Sequence, residues 1–265
     1  MVRLWVDTDI GTNVDDAVAL LAAVAHPSIE LVGISTVGSD SERRASVAVG
    51  LLAGAGTDLG TVAVVAGAEA PGGGADDVVA AVAASGAEAL LAIGPLTNVA
   101  AMTAAGVRPP ELTIMGGALR PVEHRGGLRT VEHNFASDPD AAATVLAVPG
   151  AVVVPLDATV ATRLDDRLLA RLVATAPVLE PMVQAWVAEW GEVVLHDPAA
   201  LLVAAGDGTE LGRFERRRLR VEPDGRLIDG GSGASGTVHD VVTSLFGSAV
   251  IASVLALLVD LKLGS

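Results

Sequence analysis

Residues 3–16, Arg3-Leu4-Trp5-Val6-Asp7-Thr8-Asp9-Ile10-Gly11-Thr12-Asn13-Val14-Asp15-Asp16, decide how the chain reads. A short apolar run turns acidic at Asp7, crosses a Gly-containing loop and enters an Ala/Leu-rich run from Val14 to Ala25. A buried strand feeding a helix in this way opens a β-α-β unit. The rhythm continues. Strands are expected at residues 29–36, 62–65, 89–93, 112–115 and 151–155, and helices at 42–55, 77–84, 97–105 and 139–146. The expected architecture is α/β and Rossmann-like, a mostly parallel sheet flanked by helices. Such sheets place ligands at the carboxyl ends of their strands. After Asp165 the pattern becomes helical and then irregular, with a strand pair near residues 218–222 and 226–228 across the turn Pro223-Asp224-Gly225. No linker or internal repeat divides the chain, so a single domain over residues 1–265 is expected.

Composition narrows the chemistry. Of 265 residues 51% are hydrophobic, and 32 acidic side chains face 17 basic ones, for a net charge of −15. That content supports a buried core, and the charge opposes binding to a phosphate backbone, so no nucleic-acid partner is expected. There is no cysteine, which removes disulfides, thiol nucleophiles and Cys-ligated zinc. The one lysine, Lys262, lies at the C-terminal end. The first residues meet acid at Asp7 without an apolar signal core, so a cytoplasmic location and no membrane association are expected. Residues 241–259 reach membrane-spanning length, but Thr243, Ser244, Gly247 and Ser248 share one helical stripe opposite Leu245, Phe246, Val250 and Ile251. That pattern reads as a helix packed on a core.

Asp7, Asp9, Asp15 and Asp16 put four carboxylates within ten residues. Acids in a first helical turn complement the helix dipole, which accounts for Asp15 or Asp16 singly but not for Asp7 and Asp9, which leave a hydrophobic strand. Crowded carboxylates there would repel unless a cation joined them, and hard oxygen donors favour Ca²⁺ or Mg²⁺. Far downstream, Leu195-His196-Asp197-Pro198 reads as a helix start with Asp197 as N-cap and Pro198 as first helical residue. Asp197 could add a carboxylate to the metal, and His196 could serve as a general acid with a pKa near neutrality. Between them, Glu132 and Asn134 alternate on one face of an expected extended segment, where carboxylate and amide suit sugar hydroxyls. Asp138-Pro139 starts the next helix.

These motifs, together with Gly94-Pro95-Leu96-Thr97-Asn98 and Met115-Gly116-Gly117, occur in the order and rough spacing of the inosine-uridine preferring nucleoside hydrolase family, which the chain resembles from Met1 to about Ala204. The resemblance implies the nucleoside hydrolase fold and Ca²⁺-dependent hydrolysis of the N-glycosidic bond of ribonucleosides. It implies Asp9 as metal-bound carboxylate and base, Asp16 and Asp197 as further metal carboxylates, and Ile93 as a ligand through its carbonyl. Asp15, Glu132 and Asn134 match ribose contacts, with Met115 beside them. His196 matches the residue that protonates the departing base, and Asp7 a supporting carboxylate. A homodimer or homotetramer acting on a small-molecule nucleoside is implied.

The chain departs from the family pattern at four places, one of them a loop between Asp9 and Asp15 that is two residues longer. An Asn after the second strand is absent, leaving Asp40 as nearest equivalent; a second, before Glu132, is replaced near Gly126-Gly127; and a His-Gly motif is missing from residues 68–76. Trp186 and Trp190, four apart on a helix-like segment, could stack on a base or pack in the core. A nucleoside- or ribose-binding protein without turnover is the alternative. A haloacid-dehalogenase-type phosphatase fits poorly, because Gly11 stands where its motif expects Thr or Val and the interior lysine is missing. Gly231-Ser232-Gly233-Ala234-Ser235-Gly236 fits G-x-G-x-x-G but reads as a flexible loop, and Arg216–Arg218 as a solvated strand edge.

Overall fold

The computed structural model describes residues 1–231 and 235–261. The strands are β1 (Val2–Thr8), β2 (Ile29–Thr36), β3 (Ala63–Ala66), β4 (Ala89–Ala92), β5 (Glu111–Met115), β6 (Val122–His124), β7 (Gly127–Arg129), β8 (Val152–Val154), β9 (Gly212–Val221), β10 (Leu227–Asp229) and β11 (Thr237–Leu245). Helices α1 (Val14–Ala25), α2 (Ser41–Gly54), α3 (Asp76–Ser85), α4 (Thr97–Ala104), α5 (His133–Ser137) and α6 (Pro139–Leu146) alternate with the early strands. Then follow α7 (Leu156–Thr159), α8 (Asp166–Thr175), α9 (Glu180–Trp190), α10 (His196–Ala204), α11 (Gly208–Leu211) and α12 (Gly247–Asp260).

Nine strands form one sheet in the order β10-β9-β11-β8-β5-β4-β1-β2-β3, parallel except where β9 meets β10 and β11. Near-continuous apolar runs such as Leu90–Ala92 and Ile34 are buried because helices cover both faces. One face packs on α1, α2, α10 and α12, the other on α3, α4 and α6. The chain leaves β1 toward β2 and β3, then returns to place β4 on the other side of β1. This reversal opens a crevice at the carboxyl ends of β1 and β4, where Asp9 and Ile93 lie.

The centre of the sheet contains a close approach. Pairing of β1 with β2 jumps from Leu4–Leu31 to Trp5–Gly33, and the buried Trp5 indole lies over Gly33. A Cβ on Gly33 would stand 2.1 Å from that ring. Gly33→Ala should therefore cost about 1–3 kcal/mol of stability through overpacking. A denaturation midpoint equal to that of the unsubstituted protein would contradict the close contact.

One expectation is corrected. Residues 241–259 are not one helix: β11 runs to Leu245 and α12 begins at Gly247. The helix has 14 residues, about 21 Å at 1.5 Å each, and among the described residues no helix is long and apolar enough to cross a membrane. Although β9 lies between β10 and β11, β10 pairs only with Leu219–Val221, so Arg216 and Arg217 sit on an open, solvated edge of β9, as expected. Its alternating charges hide the strand from a hydrophobic pattern, and Arg217 pairs with Asp229 at 2.6 Å. The Gly-rich run at 231–236 falls partly, and Lys262 wholly, outside the described residues.

Candidate active site

At the crevice lies a cleft of about 750 Å³. Asp9, Asp16, Ile93, Met115, Glu132, Asn134, Trp186, Trp190, His196 and Asp197 all line it. Two residues expected there do not. Asp40 is exposed at the start of α2 with φ 61°, and its neighbours Gly38 and Ser39 line the cleft in its place. Asp15 is fully buried, behind the cleft wall.

Asp15 and Asp16 occupy the first turn of α1, and Asp197 that of α10, two helices packed together. Carboxylate oxygens of these three residues all lie within 4.8 Å of one another. The tight trio thus contains Asp15 where the resemblance implies Asp9, which stands outside it on the cleft wall. Asp15 Oδ2 accepts the Asp197 N–H at 3.4 Å, while Oδ1 has no partner although buried. Thr8 Oγ1 donates to Asp16 at 2.5 Å. Burial pushes the Asp15 carboxyl up to about 7. Burial pushes Asp16 and Asp197 well above the usual range, and neighbouring carboxylates push them further. Crowded, buried oxygen donors, one of them orphaned, fit a divalent cation. Asp197 does not cap its helix as expected: α10 begins at His196, and the carboxylate turns instead to the acidic trio.

Supporting bonds fix the loop around Asp9. Asp7 Oδ1 accepts from Ser35 Oγ at 2.5 Å and Asn98 Nδ2 at 2.8 Å, and Trp5 Nε1 donates to the same serine at 2.9 Å. Arg44, in α2, threads beside Gly11 and Gly38 and donates to the carbonyls of Asp9 and Ile10 and to the Ser39 carbonyl.

Glu132 and Asn134 do not share an extended segment. Glu132 caps the short helix α5, accepting from the N–H groups of Asn134 (2.7 Å), Phe135 (3.2 Å) and Gly117 (3.0 Å). A single carboxylate between two turns satisfies donors from both, which an alternation pattern does not reveal. Asn134 Nδ2 donates to the carbonyls of Ile93 (3.3 Å) and Met115 (3.1 Å), tying the ends of β4 and β5 to α5. Asp138 caps α6 as expected.

His196 is buried, and its pKa is not near neutrality. Burial, then His124 and Arg125, hold it well below the usual value, so the ring is neutral. Its Nδ1 lies 2.7 Å from Thr159 Oγ1, closer than that hydroxyl lies to the Leu156 carbonyl at 3.1 Å. The hydroxyl proton is thus assigned to Nδ1 and the ring proton to Nε2, an atom without a partner. His124 packs edge-on at 5.0 Å between ring centroids.

Trp186 is buried and donates to the Glu192 carbonyl at 3.0 Å, whereas Trp190 is 38% exposed. Both expectations for the pair hold in part: each lines the cleft and Trp186 also belongs to the core. Sequence reasoning missed Arg44, His124, Arg125 and Thr159. Arg125-Gly126-Gly127 carried a turn signal between strands of three residues, too short to register.

The model of the family described as inosine-uridine preferring nucleoside hydrolase matches residues 4–244. The purine-preferring ribonucleoside hydrolase from Gardnerella vaginalis superposes with a TM-score of 0.80 at 21% identity, over 99% of this chain and 100% of that one. A plant nucleoside hydrolase gives 0.78 at 19% identity, over 97% and 98%. The inosine-uridine preferring nucleoside hydrolase from Bacillus anthracis gives 0.77 at 19% identity, over 98% and 100%. No curated protein matches in sequence. At these identities the structural likeness is one of fold.

Proposed function

Because the chain belongs to the inosine-uridine preferring nucleoside hydrolase family and is thereby a hydrolase acting on N-glycosyl bonds, we propose that it cleaves ribonucleosides to ribose and free base in a Ca²⁺-dependent reaction. The observation that carries this reading is the buried trio of Asp16 and Asp197, which line the cleft, and Asp15 behind them, with one carboxylate oxygen unpartnered. Asp9 and the Ile93 carbonyl, at the ends of adjacent strands, complete the oxygen set that would hold the ion. Bound there, calcium would supply Lewis acidity to the oxygens of water and of the ribose diol.

The residues divide the remaining work. Asp9, half-buried and raised by desolvation against the opposing charges of Arg44 and His133, takes the proton of the attacking water. Glu132 and Asn134 face the ribose, and their backbone partners hold them in place before it arrives. The carboxylates around C1′ favour the positive charge that develops on the sugar as the bond to the base breaks. His196 presents Nε2–H as a neutral hydrogen-bond donor to the departing base. The reading extends to a cytoplasmic homodimer or homotetramer.

Release of reducing sugar from a nucleoside panel, with calcium and with chelator, tests it. Ribose should appear with calcium and fall by at least about a hundredfold without it. Nucleoside binding with no ribose release would replace this reading with the binding-protein alternative.

A further inference from the structure

The hairpin of β6 and β7 borders the cleft and carries a cationic group that nothing above uses. Arg125 sits in its turn at φ 50°, a left-handed conformation rarely adopted by residues with a Cβ, followed by Gly126 at φ 68°. Its backbone N–H donates to Glu192 Oε1 at 3.0 Å, and Glu192 lies 3.2 Å from His124 Nδ1 and pairs with Arg163. These contacts tie the turn to the segment after α9.

The side chain is equally fixed. The Arg125 guanidinium lies 4.5 Å from the Trp186 ring centroid and 5.3 Å from that of Trp190, and the two rings are 5.8 Å apart. Stacking engages the flat face of the guanidinium and leaves its N–H edge. Among the described residues that edge donates no hydrogen bond and joins no ion pair, although Arg125 is only partly exposed and lines the cleft. A stacked arginine in a left-handed turn with unspent donors points to an occupant that supplies acceptors. The acidic floor of Asp9, Asp16 and Asp197 accepts hydrogen bonds and repels further acceptors, so it suits the ribose hydroxyls. The other end of a nucleoside falls to Arg125.

We propose that Arg125 binds the departing nucleobase through its guanidinium edge, so that the protein prefers bases presenting two adjacent acceptors, 6-oxopurines, over 6-aminopurines. The inference rests on the hydrolase reading; inosine already stands in the family's description, and what is added is the residue that reads the base. Arginine pairs in two-pronged fashion with O6 and N7 of a 6-oxopurine, whereas a 6-amino group opposes donor to donor. When the C1′–N bond breaks, its electron pair stays on the base and negative charge spreads to those acceptors. The oxygen of water bonds to C1′, its proton passes to Asp9 and from there to solvent, and the base takes up a proton from solvent. Arg125 donates hydrogen bonds throughout and transfers no proton. It also occupies the faces of both tryptophans that border the cleft, so the base meets the arginine edge rather than stacking on bare indole.

The test compares kcat/KM of the full chain, Arg125→Ala and Arg125→Lys, in calcium, on inosine, adenosine and 4-nitrophenyl β-D-ribofuranoside. The last carries a leaving group that needs no assistance. The unsubstituted protein should prefer inosine to adenosine. Arg125→Ala should lose roughly 10- to 100-fold on inosine and markedly less on the other two, collapsing the preference. Arg125→Lys keeps the charge but not the fork, so it should also lose more on inosine than on the nitrophenyl riboside. It carries the same comparison if the alanine variant fails to fold. Equal losses on all three substrates, or no inosine preference in the unsubstituted protein, would overturn the role of Arg125. Absence of turnover on every substrate would instead overturn the hydrolase reading on which it rests.

Discussion

Asp9→Asn should lower turnover by about 10²- to 10⁴-fold, the usual contribution of a positioned general base, while leaving the fold intact. The substitution keeps the size of the side chain and removes its basicity. What holds residue 9 in place is its backbone: its carbonyl accepts from Arg44, and the strand before it is paired on both sides. Desolvation raises the Asp9 carboxyl from its ordinary value, which strengthens it as a base. Asp197→Asn should weaken calcium more than Asp9→Asn does, because Asp9 completes the oxygen set from outside the trio. The Asp197 carboxylate belongs to the tight trio with Asp15 and Asp16, so calcium affinity should fall along with turnover. Calcium titration by calorimetry separates the two. Unchanged affinity in Asp197→Asn would remove that residue from the metal site, and near-normal turnover in Asp9→Asn would remove Asp9 from proton transfer.

The contrast between these two residues marks what the sequence disclosed. The β-α-β pattern gave α1 and β2 to the residue, because apolar runs flanked by polar loops report burial directly. Asp7, Asp9, Asp15, Asp16, His196 and Asp197 stood out because charged and polar groups beside strand ends need a partner. Which carboxylates meet was not legible. The trio of Asp15, Asp16 and Asp197 depends on how α1 packs on α10, a contact between segments about 180 residues apart. The environment of His196 was hidden for the same reason: its pKa is set by burial and by His124, Arg125 and Arg163, which come from other segments. Strand β11 was missed because residues 241–259 run without a charge from the strand into α12, and such a strand followed by a helix mimics one long helix. Arg125 escaped because a basic residue in a short turn carries no periodic signal.

Calcium should raise the melting temperature, and by more as pH rises. Burial pushes Asp7 and Asp15 from 3.8 up to about 7 each, and Asp16 and Asp197 well above their ordinary value. For such groups the folded chain binds protons that the unfolded chain has already released. The stability they contribute is full below about pH 4 and is lost as pH climbs through about 7. His124 acts in the opposite sense. Burial holds its pKa down at about 4 against 6.5, so the stability linked to it is present above 6.5 and lost as pH falls toward 4. Metal-free protein is thus squeezed from both sides, and on the alkaline side the cause is a group of carboxylates forced to share a buried space. A cation removes that cause. It binds the deprotonated carboxylates, so fewer protons must be displaced as pH rises and apparent affinity grows. At a hundredfold excess over its Kd the ion contributes about 2.7 kcal/mol, or roughly 5–10 °C in a chain of this size. Thermal melts with calcium and with chelator between about pH 5 and 8 check the expectation. A calcium-induced shift that stays flat or shrinks with pH would place the ion elsewhere, because only ligands that must lose protons in this range make the shift grow.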